Sequence, residues 1–157
     1  MWYFAYGSNL NQDDLDGWCA EKRLPLLNLS AKPWKRATLT DHMLVFDCFS
    51  KRRNSVAANI RSSPGEIVRG VAFELSDEEF RIIARKEGAP RTYTEVDVEL
   101  AVEDGSPLQA KTFYCRPGTE QANQNPCGAY VNLIIEGAVA YSLDDTWLEK
   151  LRRTPTA

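Results

Sequence analysis

The stretch MWYFAYGSNL, residues 1–10, sets a run fit for a buried strand directly against Gly7, Ser8 and Asn9, which can bury almost nothing. Gly, Ser and Asn form turns anywhere, so the plainest reading is a chain reversal after the first strand. The second reading is chemical. A strand ending on Gly and two small polar residues can present consecutive backbone N–H groups, a nest suited to a carboxylate or a developing oxyanion. The choice depends on what the rest of the chain brings to that turn.

The 157 residues read as one domain over 1–157, and a domain of about that size buries roughly two-thirds of its unfolded surface. With 43% hydrophobic and 26% charged residues, the composition is that of a soluble globular protein rather than a disordered one. No apolar run approaches the ~18 residues of a membrane span, and Met1 leads into the first strand without a signal-peptide pattern, so the expected location is the cytoplasm. A net charge of −3 gives no overall attraction to nucleic acid. The run Lys51, Arg52, Arg53 reads as a solvated hairpin tip. Cys19, Cys48, Cys115 and Cys127 form no C-x-x-C pair, which argues against zinc and thioredoxin-like chemistry. They are expected as ordinary core or half-buried residues, with pairing left open by their spacing.

Further along, Leu15, Trp18 and Cys19 stand at helical spacing and predict a short helix over 11–20. Irregular chain with Pro25 and Pro33 follows. Strands over 43–49, 56–60 and 67–75, the last after a Ser62–Gly65 break, suggest an antiparallel meander. Period-2 alternation marks a half-buried strand over 93–102, paired with 109–115. Ser76 and Glu79 form a capping box opening a helix to Glu87, with Gly88 suited to its C-cap and Arg85 and Lys86 complementing its dipole. The polar segment 116–126 reads as an active-site loop or a mobile surface excursion. Helices are expected over 127–141 and 144–153. Strands first, one helix in the middle and helices at the end indicate an α+β fold with a curled or barrel-like sheet.

Placing the 76–87 helix on a wheel at about 100° per residue from Phe80 puts Ile83 at about 300°, Ala84 at about 40° and Glu87 at about 340°. Glu87 thus shares the core-facing stripe. Burial makes a carboxylate costly to ionise, raising its pKa and suiting it to general acid or base work. A last-turn Glu can also turn outward or cap a neighbour. Tyr93, at the mouth of the next strand, could hold that acid or a ligand by a hydrogen bond, or simply be a strand residue.

The segments YFAYGSNL (3–10), SPGEIVRGVAFEL (63–75), KEGAPRTY (86–93) and PCGAYVNLIIEGA (126–138) together resemble the γ-glutamylcyclotransferase and AIG2-like family, in family order across most of the chain. The resemblance implies a small mixed β-barrel with flanking helices, its first turn and Glu87 facing one cavity. It implies ring closure of a γ-glutamyl compound to 5-oxoproline with release of the attached amine. Glu87 matches the family's catalytic acid/base. Tyr6, Gly7, Ser8, Asn9 and Leu10 match its substrate-binding loop, and Tyr93, Tyr114 and Tyr130 match tyrosines that line or order the pocket.

In such a reaction the substrate's own α-amine attacks its γ-carbonyl, so neither a protein nucleophile nor a metal or other cofactor is needed. Orientation supplies on the order of 7–11 kcal/mol in well-placed intramolecular reactions. One proton carrier does the rest. Two positions depart from the relatives: Ala84 stands where an Asp is common and Arg69 where a Trp often precedes the glycine. The YGSNL form resembles relatives acting on γ-glutamyl amino acids or γ-glutamylamines more than the glutathione-specific ones. A Ser or Cys hydrolase would need a base, and His42, the lone histidine, reads as a turn or strand-start residue. A non-catalytic module binding a γ-glutamyl metabolite or a protein is the alternative on the same fold. The expected partner is a small γ-glutamyl molecule, with no nucleic acid or membrane, and a homodimer stays open.

Overall fold

The computed structural model describes residues 1–157. Five strands, β1 (Trp2–Ala5), β2 (Trp34–Ser50), β3 (Ser55–Glu74), β4 (Tyr93–Val102) and β5 (Pro107–Cys115), close into a barrel in the order β1-β3-β2-β4-β5. Four helices accompany it: α1 (Gln12–Glu21), α2 (Asp77–Lys86), α3 (Gly128–Ala140) and α4 (Asp145–Arg152). The architecture is an α+β mixed barrel, as expected. The short apolar β1 explains the mixing: it lies antiparallel to β3, from Trp2 opposite Glu74 to Ala5 opposite Val71, and parallel to β5 at Tyr3 and Lys111. Ala37 and Thr38 of β2 close the other seam on Val102 and Ala101 of β4. Beyond these seams, residues 39–50 of β2 and 55–68 of β3 pair only with each other, as a two-stranded ribbon that extends from the barrel.

The meander needs correction. The expected strands 43–49, 56–60 and 67–75 belong to two long strands that form a single hairpin, and 34–42, read as irregular, is strand as well. The Ser62–Gly65 segment does not reverse the chain. The register shifts there between Thr40 and His42, and the Gly65 N–H donates to Asp41 Oδ1 at 3.0 Å. Pro and Gly are tolerated in a strand where a bulge interrupts the ladder. His42 lies within β2 with its ring against the Thr40 carbonyl.

A second register shift, between Phe46 and Cys48, leaves Asp47 out of step. Such bulges bend a ribbon and increase its twist. Beyond it the ribbon tip is pinned to β4 and β5: the Tyr93 hydroxyl donates to the Ala58 carbonyl at 2.6 Å, and the Cys115 N–H donates to Asn59 Oδ1 at 2.7 Å. Cys48 and Cys115, expected as ordinary thiols with pairing open, are joined as a disulfide with their Cα atoms 5.6 Å apart. Cys19 is buried and free, and Cys127 is half-buried and free.

The helices lie within a residue of their expected bounds, because the outermost residues become caps. Asn11, Cys127 and Asp144 precede α1, α3 and α4, and Glu87 closes α2. The capping box is reciprocal: Glu79 N–H donates to Ser76 Oγ at 3.2 Å, and Ser76 N–H to Glu79 Oε1 at 2.9 Å. Gly88 follows at φ +67°, a conformation that side-chain-bearing residues rarely adopt. α3 lies directly on the first turn: a Cβ at Gly137 would stand 2.5 Å from the Leu10 carbonyl carbon. One continuous core of 37 buried residues joins the barrel interior to all four helices. No helix is long and apolar enough to cross a membrane.

Candidate active site

β1 carries the chain to the barrel's end and releases it into a tight turn over Ser8–Leu10. Leu10 N–H donates to the Gly7 carbonyl (3.1 Å) and Asn11 N–H to the Ser8 carbonyl (2.9 Å). Ser8 and Asn9 open this turn, so their N–H groups have no partner within it. Asn11 then caps α1, accepting the Asp14 N–H at 3.0 Å, which brings the Asp14 carboxylate back over the turn. α2 arrives from the other side and ends on Glu87. The two elements meet where Asn9 Nδ2 donates to Glu87 Oε1 at 2.8 Å.

Three hydrogen bonds fix the Asn9 side chain. Its Nδ2 also donates to the Tyr3 hydroxyl at 2.9 Å, and its Oδ1 accepts from Lys86 Nζ at 2.7 Å. Lys86 can only donate and an ionised Glu87 can only accept, so the opposite amide orientation would set donor against donor and acceptor against acceptor. Lys86 also reaches Asp14 Oδ2 at 3.2 Å, and Arg53 reaches the same oxygen at 2.7 Å. Arg53 further donates to Ser8 Oγ at 3.3 Å and lies 5.0 Å from the centre of the Tyr130 ring. A cavity of about 550 Å³ opens beside this cluster, walled by the first turn, the end of α2, the ribbon tip and α3.

Three comparisons bear on this arrangement. The family model described as "Gamma-glutamyl cyclotransferase, AIG2-like" matches residues 3–132. The mouse γ-glutamylcyclotransferase is 28% identical over 155 residues, covering 96% of this chain and 76% of its own, and the human one is 27% identical with the same coverage. A solved structure described as a γ-glutamyl cyclotransferase superposes with a TM-score of 0.83 at 23% identity, covering 99% of this chain and 88% of that one. The chain belongs to the γ-glutamyl cyclotransferase, AIG2-like family.

Of the residues that the family resemblance points to, Tyr6, Gly7, Ser8, Asn9, Glu87, Tyr93 and Tyr130 all line the cavity of this cyclotransferase-family chain. Two do not. Leu10 is fully buried under α3 and anchors the turn without reaching the cavity. On β5 the cavity is lined by Thr112, Phe113 and Cys115, and Tyr114 is not part of its wall. Gly7 has a packing reason as well: an added Cβ would stand 3.3 Å from the Ala58 Cβ and 3.6 Å from the Tyr130 hydroxyl. The polar segment 116–126 borders the cavity through Thr119 and Gln121, and the Gln121 N–H is tied to the Asp47 carbonyl at 2.7 Å.

Sequence reasoning missed Tyr3, Asp14, Arg53 and Lys86. Arg53 was expected on a solvated tip, yet its side chain is only 16% exposed; the neighbouring Lys51 and Arg52 are exposed as expected. Lys86 was assigned to the helix dipole alone, yet its side chain is 5% exposed. Only Asp14 carried a readable signal: an acid in the first turn of the helix that immediately follows the YGSNL turn.

The electrostatics follow from this packing. Glu87 as a residue is half-buried, and burial raises the pKa of its carboxyl above the usual 4.5, opposed by Lys86, the Asn9 hydrogen bond and Arg53. Its second oxygen makes no hydrogen bond and is not sealed from the cavity. Burial would raise Asp14 too, but the Arg53 hydrogen bond and the Lys86 charge bring it below 3.8. Tyr3, Tyr6, Tyr93 and Tyr130 are pushed well up, first by burial, so all four are neutral phenols. Tyr6 donates to the Phe113 carbonyl at 2.5 Å and Tyr130 accepts the Ala58 N–H at 2.9 Å, leaving the Tyr130 proton free for another acceptor. The site therefore holds one carboxylate with a raised proton affinity, surrounded by neutral and cationic donors.

Proposed function

We propose that the chain converts a γ-glutamyl amino acid or γ-glutamylamine to 5-oxoproline and the free amine, with Glu87 as the single acid/base. The observation carrying this reading is the Glu87 carboxylate itself: one oxygen held by Asn9, the other unbonded, facing the cavity beside the open start of the first turn. The α-ammonium of the substrate gives a proton to Glu87. The freed amine attacks the γ-carbonyl carbon, forming the ring C–N bond, and the Ser8 and Asn9 N–H groups stabilise the charge on the oxygen. As the old C–N bond breaks, Glu87 returns the proton to the departing nitrogen, and the second proton of the ring nitrogen passes by way of the same carboxylate to the freed amine, leaving a neutral lactam N–H and an ammonium product. The cavity selects the folded-back conformer, which is where most of the acceleration in such a cyclisation lies.

The exposed cations Lys51, Arg52 and Arg91 also line the cavity, and Glu87 is its only acidic lining residue. A departing group carrying a carboxylate is favoured there over a cationic amine. The test is 5-oxoproline release from a panel of γ-glutamyl amino acids and γ-glutamylamines. Glu87→Gln is expected to retain the fold and lose roughly 10²–10⁴ in turnover. Near-wild-type release by that variant rejects the mechanism. In the wild type the base must be ionised, and its raised pKa keeps Glu87 protonated above pH 4.5, so the acidic limb of kcat/KM is expected at higher pH than for an ordinary glutamate.

A further inference from the structure

Of the two cations in the last turn of α2, Arg85 stays exposed, so complementing the helix dipole does not require burial. Lys86 is nonetheless drawn inside, where desolvating an ammonium is costly unless it is paired and hydrogen-bonded. Both conditions are met, by Asp14 Oδ2 and Asn9 Oδ1, and Asp14 is in turn held by Arg53. A buried pair of this kind is often no more stabilising than apolar residues of the same volume. Its position suggests another use. Asn9 has one side-chain acceptor, and the Lys86 ammonium occupies it, so the amide's two N–H bonds must face Glu87 and Tyr3.

We propose that Lys86 is a positioning residue of the acid/base centre: it turns the Asn9 amide toward Glu87 and sets a positive charge beside that carboxylate, with Asp14 and Arg53 holding the ammonium in place. Resting on the reading of Glu87 as the proton carrier, it explains how a single carboxylate in a desolvated site stays available as a base. Other groups facing Glu87 are Arg53 from the β2–β3 turn, Asp14 from α1, Tyr3 from β1, Tyr6 after it, Tyr93 of β4 and Tyr130 of α3. The rim adds Lys51, Arg52 and Arg91. Among the cations, only Lys86 touches Asn9. The Lys86 charge is also the largest influence opposing the effect of burial on Glu87.

Two substitutions separate orientation from charge. Lys86→Gln retains a donor for Asn9 Oδ1 without the charge, and Lys86→Met retains neither. The Glu87 carboxyl is followed by ¹³C NMR titration, and kcat and KM for 5-oxoproline release are measured against pH on the same proteins. In both variants the titration midpoint and the acidic limb of kcat/KM are expected to move to higher pH by about one unit. At the plateau, Lys86→Met should lose roughly tenfold more kcat than Lys86→Gln, with KM changing little in either. Lys86→Arg, which restores the charge, should bring the midpoint back toward wild type. A folded Lys86→Gln with an unmoved Glu87 midpoint overturns the proposal, as does a loss confined to KM. Should Lys86→Met fail to fold, the Gln and Arg variants carry the same decision. If the wild type releases no 5-oxoproline from any γ-glutamyl compound, the functional reading falls, while the NMR titration still decides whether Lys86 governs Glu87.

Discussion

The two ends of β4 each carry a group of ion pairs, built from the same residue types in opposite surroundings. At the cavity end, Arg53 and Lys86 converge on Asp14 at 2.7 and 3.2 Å, with side-chain exposures of 16%, 5% and 8%. At the far end a crevice holds Arg36 against Glu103 and Arg69 against Asp144, all between 36% and 63% exposed. Water screens the second group, so each of its pairs is worth little. The first group is largely removed from water, and losing one member leaves its partners buried and uncompensated. Distance alone does not separate them: Arg69 and Asp144 approach to 2.6 Å, closer than Arg53 and Asp14. What separates them is desolvation, which makes a charge an orienting device only where it cannot be replaced by solvent.

The largest expected break lies where the cavity group meets the acid/base carboxylate. Asn9→Leu removes the donor to Glu87 and the acceptor for Lys86 at little change in volume. Turnover of 5-oxoproline is expected to fall on the order of 100-fold, about 2.7 kcal/mol, with KM less affected. A loss under threefold would mean that this amide does not orient the reacting groups. The next effect is on stability. Asp14→Asn leaves Arg53 and Lys86 facing each other without their shared anion. Urea unfolding should show a loss of about 2 kcal/mol, below the roughly 3–5 of fully sealed pairs because the cluster keeps some access to water.

The same residue gives a pH signature. Asp14 has a lowered pKa, so its contribution is full above the unfolded value of 3.8 and lost as pH falls through the still lower folded value. Wild-type stability should therefore drop in that acid window by more than Asp14→Asn stability does. Parallel acid titrations of the two proteins, followed by circular dichroism, check it.

The contrast between the two ends also shows what a sequence can disclose. Local periodicity singled out Glu87, because a helical wheel places an acid on an apolar stripe, but it left open whether that last-turn side chain turns outward, and the resemblance to the family supplied the assignment. Local sequence also revealed the capping box and β4. Arg53 was hidden, since a charge run between strands looks the same whether its tip is solvated or folded back over another turn. Lys86 was hidden differently: the helix dipole offered a sufficient local reason, which masked a tertiary one. The Cys48–Cys115 pairing was out of reach because it depends on how segments distant in sequence pack together, and the absorption of Pro64 and Gly65 into a bulge because it depends on the register of the β2–β3 hairpin far from its turn.

The smallest effects belong to the exposed end, and they separate two roles within one side chain. Asp144 caps α4 by accepting the Trp147 N–H at Oδ1, 2.8 Å, while Oδ2 pairs with Arg69. A capping oxygen is worth about 1 kcal/mol against Ala, and Asn caps about as well as Asp. Asp144→Ala should therefore lose about 1 kcal/mol in urea unfolding, whereas Asp144→Asn, which keeps the cap and discards the charge, should stay within about 0.5 kcal/mol of wild type. Neither should alter 5-oxoproline release, since α4 contributes nothing to the cavity wall. Equal losses in the two variants would show that the exposed ion pair, not the cap, stabilises this end, and the distinction between screened and desolvated pairs would then fail where it should be clearest.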